Sequence, residues 1–165
     1  MIDESQGIDA LLDALSAAGI DFILIGGVAV AWHGFVRATK DVDVVPDPAP
    51  ENLVALAGFL EEIGARVDGA DEFDPAELPD PTDAASLQSG GNWVLRTRLG
   101  RLDVMQVQGE IELWDALEGG AETGELNGRA IRVCSYEDLL RLKRDAGRPQ
   151  DLVDIDRLQQ ARGED

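Results

Sequence analysis

The sequence has very few of the residues that build zinc sites, disulfides and membrane spans. It contains one cysteine, Cys134, and one histidine, His33, among 165 residues. One of each cannot supply a Cys/His zinc site, and a single cysteine cannot form an intramolecular disulfide. No run of about 18 uncharged apolar residues occurs, so no membrane-spanning helix is predicted. Because Met1-Ile2-Asp3-Glu4 also lacks the basic start of a secretory signal, the expected location is the cytoplasm.

Basic residues are scarce as well. Fourteen Lys and Arg stand against 33 Asp and Glu, which gives a formal net charge of −19. Nucleic-acid binding without sequence preference depends on neutralising phosphates, so this charge disfavours a large nucleic-acid footprint. Nine of the 14 basic residues nevertheless lie between residues 96 and 148, whereas the stretch from Asp68 to Asp83 holds seven acids and no base. The chain therefore has a local basic region within an acidic whole, and a basic partner protein or simple solubility would account for the remainder.

The length and the order of the apolar patterns predict one domain, residues 1–165, of the α/β (α+β) class. Short apolar runs near 22–25, 42–45 and 93–107 predict strands, and runs with helical spacing lie between them. Residues 65–91 are rich in Asp, Pro and Gly and predict a long acidic surface loop. Residues 135–162 predict a helical C-terminal segment. This order favours a small mixed β-sheet flanked by helices.

Two aspartates interrupt the second predicted strand. Asp41 and Asp43 are two residues apart, so their side chains point to the same face of that strand. Two carboxylates in a cleft repel one another, and a divalent cation would relieve the repulsion. Hard oxygen ligands suit Mg²⁺ or Mn²⁺. The alternative is a strand with one solvated face.

A third aspartate, Asp103, interrupts a later apolar strand in the same way. If that strand lies beside the strand of Asp41, three carboxylates converge and can bind two metal ions. A surface ion pair between Arg101 and Asp103 is the alternative.

Two adjacent glycines, Gly26 and Gly27, end the first predicted strand and start a helix. Glycine lets the backbone approach a ligand closely, and the start of a helix favours an anion such as a phosphate. By itself, a strand followed by Gly-Gly and a helix is common.

Taken in order, these motifs resemble the nucleotidyltransferase superfamily, which has the DNA polymerase beta-like fold. Its pattern is a strand, Gly-Gly or Gly-Ser, a helix, Asp-x-Asp and a later third Asp. The stretch Arg37-x-Thr39-x-Asp41-Val42-Asp43 resembles the minimal and AbiEii-type toxin nucleotidyltransferases, and it is also similar to the lincosamide- and aminoglycoside-modifying enzymes. The ending, with Tyr136-Glu137-Asp138-Leu139-Leu140, Lys143, Arg148, Asp151 and Asp154-Ile155, is similar to that of the stand-alone bacterial members.

The resemblance implies a role for each matching residue. Gly26 and Gly27 would hold a triphosphate by backbone contacts, and Asp41 and Asp43 would bind Mg²⁺ or Mn²⁺. Asp103 would bind one metal ion and orient or deprotonate the attacking hydroxyl. The candidates for phosphate contacts are Arg37, Thr39, Lys143 and Arg148. For Lys143 and Arg148 a solvated helix end is an equal alternative, and Asp151 and Asp154 are expected to cap or cover a helix.

The implied activity is transfer of a nucleoside monophosphate from an NTP to a hydroxyl acceptor. Toxin-like members would modify tRNA or protein, whereas resistance-like members would modify a small hydroxylated antibiotic. The rival without catalysis is a nucleotide-binding module, or half of a toxin–antitoxin pair with a cognate antitoxin as partner. His33 and the tryptophans Trp32, Trp93 and Trp114 are expected to pack rather than to bind substrate, and Cys134 is expected in the core.

Overall fold

The computed structural model describes residues 4–164. Its helices are α1 Glu4–Ala17, α2 Gly26–Trp32, α3 Pro50–Glu62, α4 Ala84–Gln88, α5 Leu113–Leu117, α6 Tyr136–Ala146 and α7 Pro149–Ala161. Its strands are β1 Phe22–Ile25, β2 Asp41–Pro46, β3 Arg66–Val67, β4 Trp93–Thr97, β5 Gly100–Val104, β6 Val107–Gln108, β7 Ile111–Glu112, β8 Glu122–Leu126 and β9 Arg129–Val133.

Local signals account for the ends of the elements that carry the site. All four residues of β1 are buried, which explains its unbroken apolar sequence. The Ser135 side chain accepts a hydrogen bond from the backbone N–H of Asp138 and so caps α6. Gly147 ends α6 in the left-handed conformation, at φ 61°. Pro149 then starts α7 in the first helical turn, where its missing N–H is tolerated. The last two signals end α6 at Ala146 and begin α7 at Pro149, so the two helices are joined by only two residues.

Seven strands form one mixed sheet in the order β3-β4-β5-β2-β1-β9-β8, and β6 and β7 form a separate pair. The central strand β2 is antiparallel to β1 and parallel to β5. In the parallel pair Asp43 lies opposite Asp103, and Asp41 lies opposite Arg101. The mixed sheet flanked by helices agrees with the fold class predicted from the sequence.

The apolar core lies between the sheet and its helices. Fully buried leucines come from both layers, among them Leu12 of α1, Leu24 of β1, Leu56 of α3 and Leu102 of β5. The acidic stretch 65–91, expected as a loop, contains β3, two short 3₁₀ helices at Ala70–Glu72 and Pro75–Glu77, and α4. Within residues 4–164, no helix has the length and apolar character needed to cross a membrane.

Candidate active site

A cleft of about 610 Å³ lies between the sheet and the C-terminal helices. Its volume is within the range of small-molecule sites, about 300–1,000 Å³. All nine residues singled out from the sequence line it: Gly26, Gly27, Arg37, Thr39, Asp41, Asp43, Asp103, Lys143 and Arg148. The tertiary structure thus brings together motifs that are more than 100 residues apart. What each residue does there stays a prediction.

The acids of the cleft come from two neighbouring parallel strands. Asp43 on β2 and Asp103 on β5 lie directly opposite each other in the register, and side chains at paired positions share a face of the sheet. Burial, the charge of Asp103, a hydrogen bond to Asp103 and the charge of Asp41 together raise the pKa of Asp43 to about 7. Burial also raises the pKa of Asp103. Two such carboxylates hold their negative charges poorly without a cation.

Two of these oxygens have no hydrogen-bond partner. Asp41 Oδ1 and Asp103 Oδ1 are both buried and both lack one among the described residues. Nε of the Arg101 guanidinium lies 3.0 Å from Asp41 Oδ1, but the two groups do not have the geometry of a hydrogen bond. It also reaches Asp68 Oδ2, at 3.2 Å. Arg101 is therefore the ion-pair partner of Asp41, which lies opposite it across the strands, and its charge also acts on Asp103, whose pKa it lowers.

The carboxylates of the cleft are the right type of ligand for a divalent cation, but they are not yet arranged around one position. Unpartnered, buried carboxylate oxygens are the ligands that Mg²⁺ and Mn²⁺ prefer. No group of three or more His, Cys, Asp and Glu side chains within residues 4–164 is already arranged around a metal position. Asp41, the third carboxylate, is already in contact with a cation of the protein itself, Arg101.

The glycine pair makes room for two of the polar side chains in the cleft. Gly26 has φ +68°, which side chains rarely tolerate, and a Cβ there would overlap the carboxylate of Asp43. A Cβ on Gly27 would overlap the Thr39 hydroxyl and approach its Cβ to 2.8 Å. Both glycines are thus required by the packing of the site itself. This steric role was not visible in the sequence, which suggested only a backbone contact with phosphate.

The basic side of the cleft is built around a buried carboxylate on α7. Asp154 is fully buried and accepts a bidentate pair from Arg37, with Nε at 2.8 Å and the terminal nitrogen at 2.9 Å. Lys143 Nζ lies 2.9 Å from the same carboxylate. Burial would raise the pKa of Asp154, but hydrogen bonds from Arg37, Lys143 and Gln150 outweigh it and lower that pKa. Asp154 thus holds an arginine from the segment before β2 and a lysine of α6 in fixed positions.

A second carboxylate on the same helix continues this network. Asp151 is 1% exposed and lies 3.1 Å from Lys143 Nζ. It accepts hydrogen bonds from the backbone and side chain of Arg148, at 3.1 and 2.8 Å. Burial would raise its pKa, but these bonds and the charge of Lys143 lower it. Asp151 caps α7 as expected, yet neither it nor Asp154 lies at the surface, because Arg37, Lys143 and Arg148 compensate their charges.

The cleft therefore presents opposite charges on its two sides. Asp41, Asp43 and Asp103 stand on the sheet, and Lys143, Arg148 and Arg37 stand toward the helices. Lys143 is only 7% exposed, so it is not a solvated helix end, whereas the Arg148 side chain is 75% exposed. A ligand with a cation-bound polyphosphate has the charge distribution that such a cleft accepts.

The residues expected to pack lie away from the cleft lining. His33 is buried, and its Nε2 is 2.8 Å from the carbonyl oxygen of Cys134. Burial raises the pKa of the Cys134 thiol to about 12, so it is inert as a nucleophile at neutral pH. None of Trp32, Trp93 and Trp114 lines the cleft.

Comparison with known proteins identifies the fold. The sequence matches no protein-family model, and no curated protein is similar enough to count as a relative. The chain is similar to the solution structure of the antibiotic-resistance factor ANT(2'')-Ia, with a TM-score of 0.60 and 19% identity over 96% of this chain and 85% of that one. It is also similar to the crystal structure of ANT(2'')-Ia in complex with adenylyl-2''-tobramycin, with a TM-score of 0.56 and 21% identity over 92% and 84% of the two chains. ANT(2'')-Ia is an aminoglycoside nucleotidyltransferase, and the chain shares its fold.

Proposed function

We propose that this protein is a metal-dependent nucleotidyltransferase, which moves a nucleoside monophosphate from an NTP to a hydroxyl acceptor and releases pyrophosphate. The observation that carries the proposal is the register of β2 and β5, which sets Asp43 beside Asp103 in a cleft that also contains Lys143 and Arg148. Asp43 and Asp103 would be stabilised by a metal ion, and the side chains of Lys143 and Arg148 nearby carry positive charge. This arrangement suits a triphosphate with its metal ion. The shared fold with ANT(2'')-Ia supports the same activity.

Each group of residues has a distinct task in this scheme. When bound between Asp41, Asp43 and Asp103, Mg²⁺ or Mn²⁺ would neutralise the charge that grows on the phosphates. Lys143 and Arg148 would contact the triphosphate, with Asp151 and Asp154 holding Lys143 in place. Asp103 would orient the acceptor hydroxyl or take its proton. Most of the rate enhancement would come from alignment and fixed charge, because the protein forms no covalent bond to the substrate.

Arg37 and Thr39 have more indirect tasks than the sequence suggested. Arg37 is engaged by Asp154 through both carboxylate oxygens, so it orders the rim of the cleft and its contact with phosphate would be secondary. Thr39 packs against Gly27, where its hydroxyl lies beside the start of α2. In this scheme both residues determine the shape of the nucleotide site.

Two classes of acceptor fit the proposal. The Arg-x-Thr-x-Asp-x-Asp motif supports a toxin-like enzyme that modifies tRNA or protein, whether or not an antitoxin accompanies it. A small hydroxylated antibiotic has about equal support, because ANT(2'')-Ia, of which one structure contains adenylyl-2''-tobramycin, is similar over 92% of this chain. The net charge of −19 also suits a cationic small molecule better than a long nucleic acid.

A labelling experiment tests the activity and separates the acceptors. The protein is incubated with Mg²⁺ and each of the four NTPs labelled at the α-phosphate, together with total tRNA, cell protein or an aminoglycoside panel. We expect label to enter one acceptor pool with one NTP. The variant Asp41→Asn should transfer no label, whereas Asp71→Asn, at an exposed acid outside the cleft, should behave as the wild type.

The rival without catalysis gives a different result. A nucleotide-binding module would show Mg²⁺-dependent stabilisation by an NTP in a thermal-shift assay but no label transfer to any pool. An inert scaffold would show neither. Wild-type transfer by Asp41→Asn would contradict the proposed function.

A further inference from the structure

One wall of the cleft is apolar and adjoins both charged sides. Its side chains come from the segment after β5, from α5 and from α6, and they are Met105, Leu113, Leu139 and Leu142. Leu113 and Leu139 are almost completely buried and belong to the packed core behind the wall, whereas Met105 and Leu142 are half-buried and present the surface that a ligand can contact. Lys143 follows Leu142 on α6, and Asp103 precedes Met105 by two residues. The wall therefore adjoins the charged groups that are proposed to hold the triphosphate and its metal ion.

A single polar side chain, Gln108, interrupts this wall. Its Nε2 donates to the backbone carbonyl of Leu142 at 3.2 Å. The reversed amide would place two acceptor oxygens against each other, so this contact determines which end of the amide is the oxygen. The remaining atom, Gln108 Oε1, is buried and has no hydrogen-bond partner among the described residues. A buried acceptor without a partner is unfavourable, and a ligand that brings a hydrogen-bond donor would satisfy it.

We propose that this wall is the nucleobase subsite and that Gln108 Oε1 accepts a hydrogen bond from the 6-amino group of adenine. This inference rests on the proposed function and names the nucleotide, ATP. Gln108 supplies an acceptor, and the wall side chains Met105, Leu139 and Leu142 supply no donor. Adenine is the one common base without a carbonyl oxygen, so it alone leaves no carbonyl unsatisfied against such a wall. A flat ring also suits contact with leucine and methionine side chains.

A second glutamine provides a matched control. Gln106 has the same chemistry, since its Nε2 donates to the carbonyl of Leu87 at 3.1 Å and its Oε1 is buried without a partner. It lines a different cavity, with Pro46, Pro48 and Pro50 among its neighbours, and does not line the cleft. Replacing Gln106 or Gln108 by leucine therefore removes the same kind of amide from two sites, of which only one is proposed to meet the base.

The test is equilibrium binding of nucleotides by calorimetry in the presence of Mg²⁺, with non-hydrolysable analogues of the four NTPs. The decisive ligand is the corresponding analogue of purine riboside triphosphate, which differs from ATP by lacking the 6-amine. We expect the wild type to bind the ATP analogue about tenfold more tightly than the purine riboside analogue, which is the worth of about one hydrogen bond. Gln108→Leu should bind both equally, and Gln106→Leu should keep the wild-type ratio.

Three results would overturn the assignment while leaving the proposed function intact. They are equal wild-type affinity for the ATP and purine riboside analogues, a preference for GTP, CTP or UTP, and a Gln108→Leu variant that keeps the tenfold ratio. Absence of Mg²⁺-dependent binding for every nucleotide would overturn both proposals. The comparison of two ligands on the wild type needs no variant, so the test stands even if Gln108→Leu does not fold.

Discussion

Two groups of aspartates lie in or next to the same cleft and differ in how their charges are compensated. Asp43 and Asp103 on the sheet have raised pKa values and lie beside each other. Asp151 and Asp154 on α7 are at least as buried, yet their pKa values are lowered, because Lys143, Arg37 and Arg148 surround them. Burial alone therefore does not distinguish the two groups; their partners do. The helix acids are already neutralised by the protein, and the sheet acids are left for a cation from outside.

The largest expected effect tests the sheet acids. Asp43→Asn should lower the rate of nucleotide transfer by about 1,000-fold or more, since metal stabilisation of transition-state charge is worth several kcal/mol and each 1.36 kcal/mol is a factor of ten. The fold should be retained, because the amide is isosteric and carries no charge. Initial rates of label transfer and circular dichroism measure the two effects. If Asp43→Asn transferred nucleotide at a rate within tenfold of the wild type, the sheet acids would not have the catalytic role that separates them from the helix acids.

The helix acids should instead determine stability. Asp154→Asn leaves Arg37 without its buried counter-charge and removes one of the two carboxylates that pair with Lys143, so the free energy of unfolding should fall by about 3–5 kcal/mol. Urea denaturation measures it. The matched control is Asp156→Asn on the same helix, where the carboxylate is exposed and accepts a hydrogen bond from Gln160. An Asp154→Asn variant as stable as this control would show that the network contributes no net stability.

The pH dependence of stability should have opposite signs in the two groups. The pKa of Asp43 is raised from 3.8 to about 7, so its contribution is fully present below about pH 4 and is lost as the pH rises through about 7. The pKa of Asp154 is lowered, so its contribution is present above about pH 4 and is lost only as the pH falls through the lowered value. Without metal, the wild type should therefore lose stability relative to Asp43→Asn between about pH 4 and pH 7. Urea unfolding across that range measures the difference in the free energy of unfolding between the wild type and Asp43→Asn. Mg²⁺ should reverse the loss. A difference that stays constant with pH would contradict a raised pKa for Asp43.

The smallest expected effect concerns Arg101. Because its guanidinium neutralises Asp41, Arg101→Gln should tighten Mg²⁺ binding in the absence of nucleotide. Partly exposed ion pairs are worth about 1 kcal/mol at most, so the change should be no more than about fivefold. Arg96→Gln is the control, since Arg96 is on the neighbouring strand and pairs with Asp68. Calorimetric titration with Mg²⁺ measures the change. If Arg101→Gln bound Mg²⁺ more weakly than the wild type, Arg101 would support metal binding rather than compete with it.

The order of the elements was predictable because it depends on local signals. The apolar run of β1, the cap at Ser135 and the stop at Gly147 are each encoded within a few residues. The same holds for Asp41 and Asp43, whose shared face follows from the period of a strand. The acidic stretch 65–91 was less predictable. Its short strand, 3₁₀ turns and α4 have too few residues to produce a periodic pattern.

The basic network was not predictable from local pattern. Asp151 and Asp154 were expected to cap or cover α7, and Asp154 instead is the buried partner of Arg37, 117 residues earlier in the chain. The spacing of three residues between the two aspartates places them on one helix face, but nothing in the sequence indicates that this face is turned inward. Arg101 was a similar case, since its partner Asp41 is set by the parallel register.

By itself, the sequence determined most elements outside residues 65–91, the order of Gly26-Gly27 and Asp-x-Asp, and the kind of chemistry that three acids and a few bases suggest. The tertiary structure decided which charges are already neutralised. It placed Asp43 opposite Asp103 in the sheet, and it packed Arg37 and Lys143 against the buried Asp154. The physical reason is that backbone propensity and caps act over a few residues, whereas burial and charge compensation depend on groups brought together from distant parts of the chain.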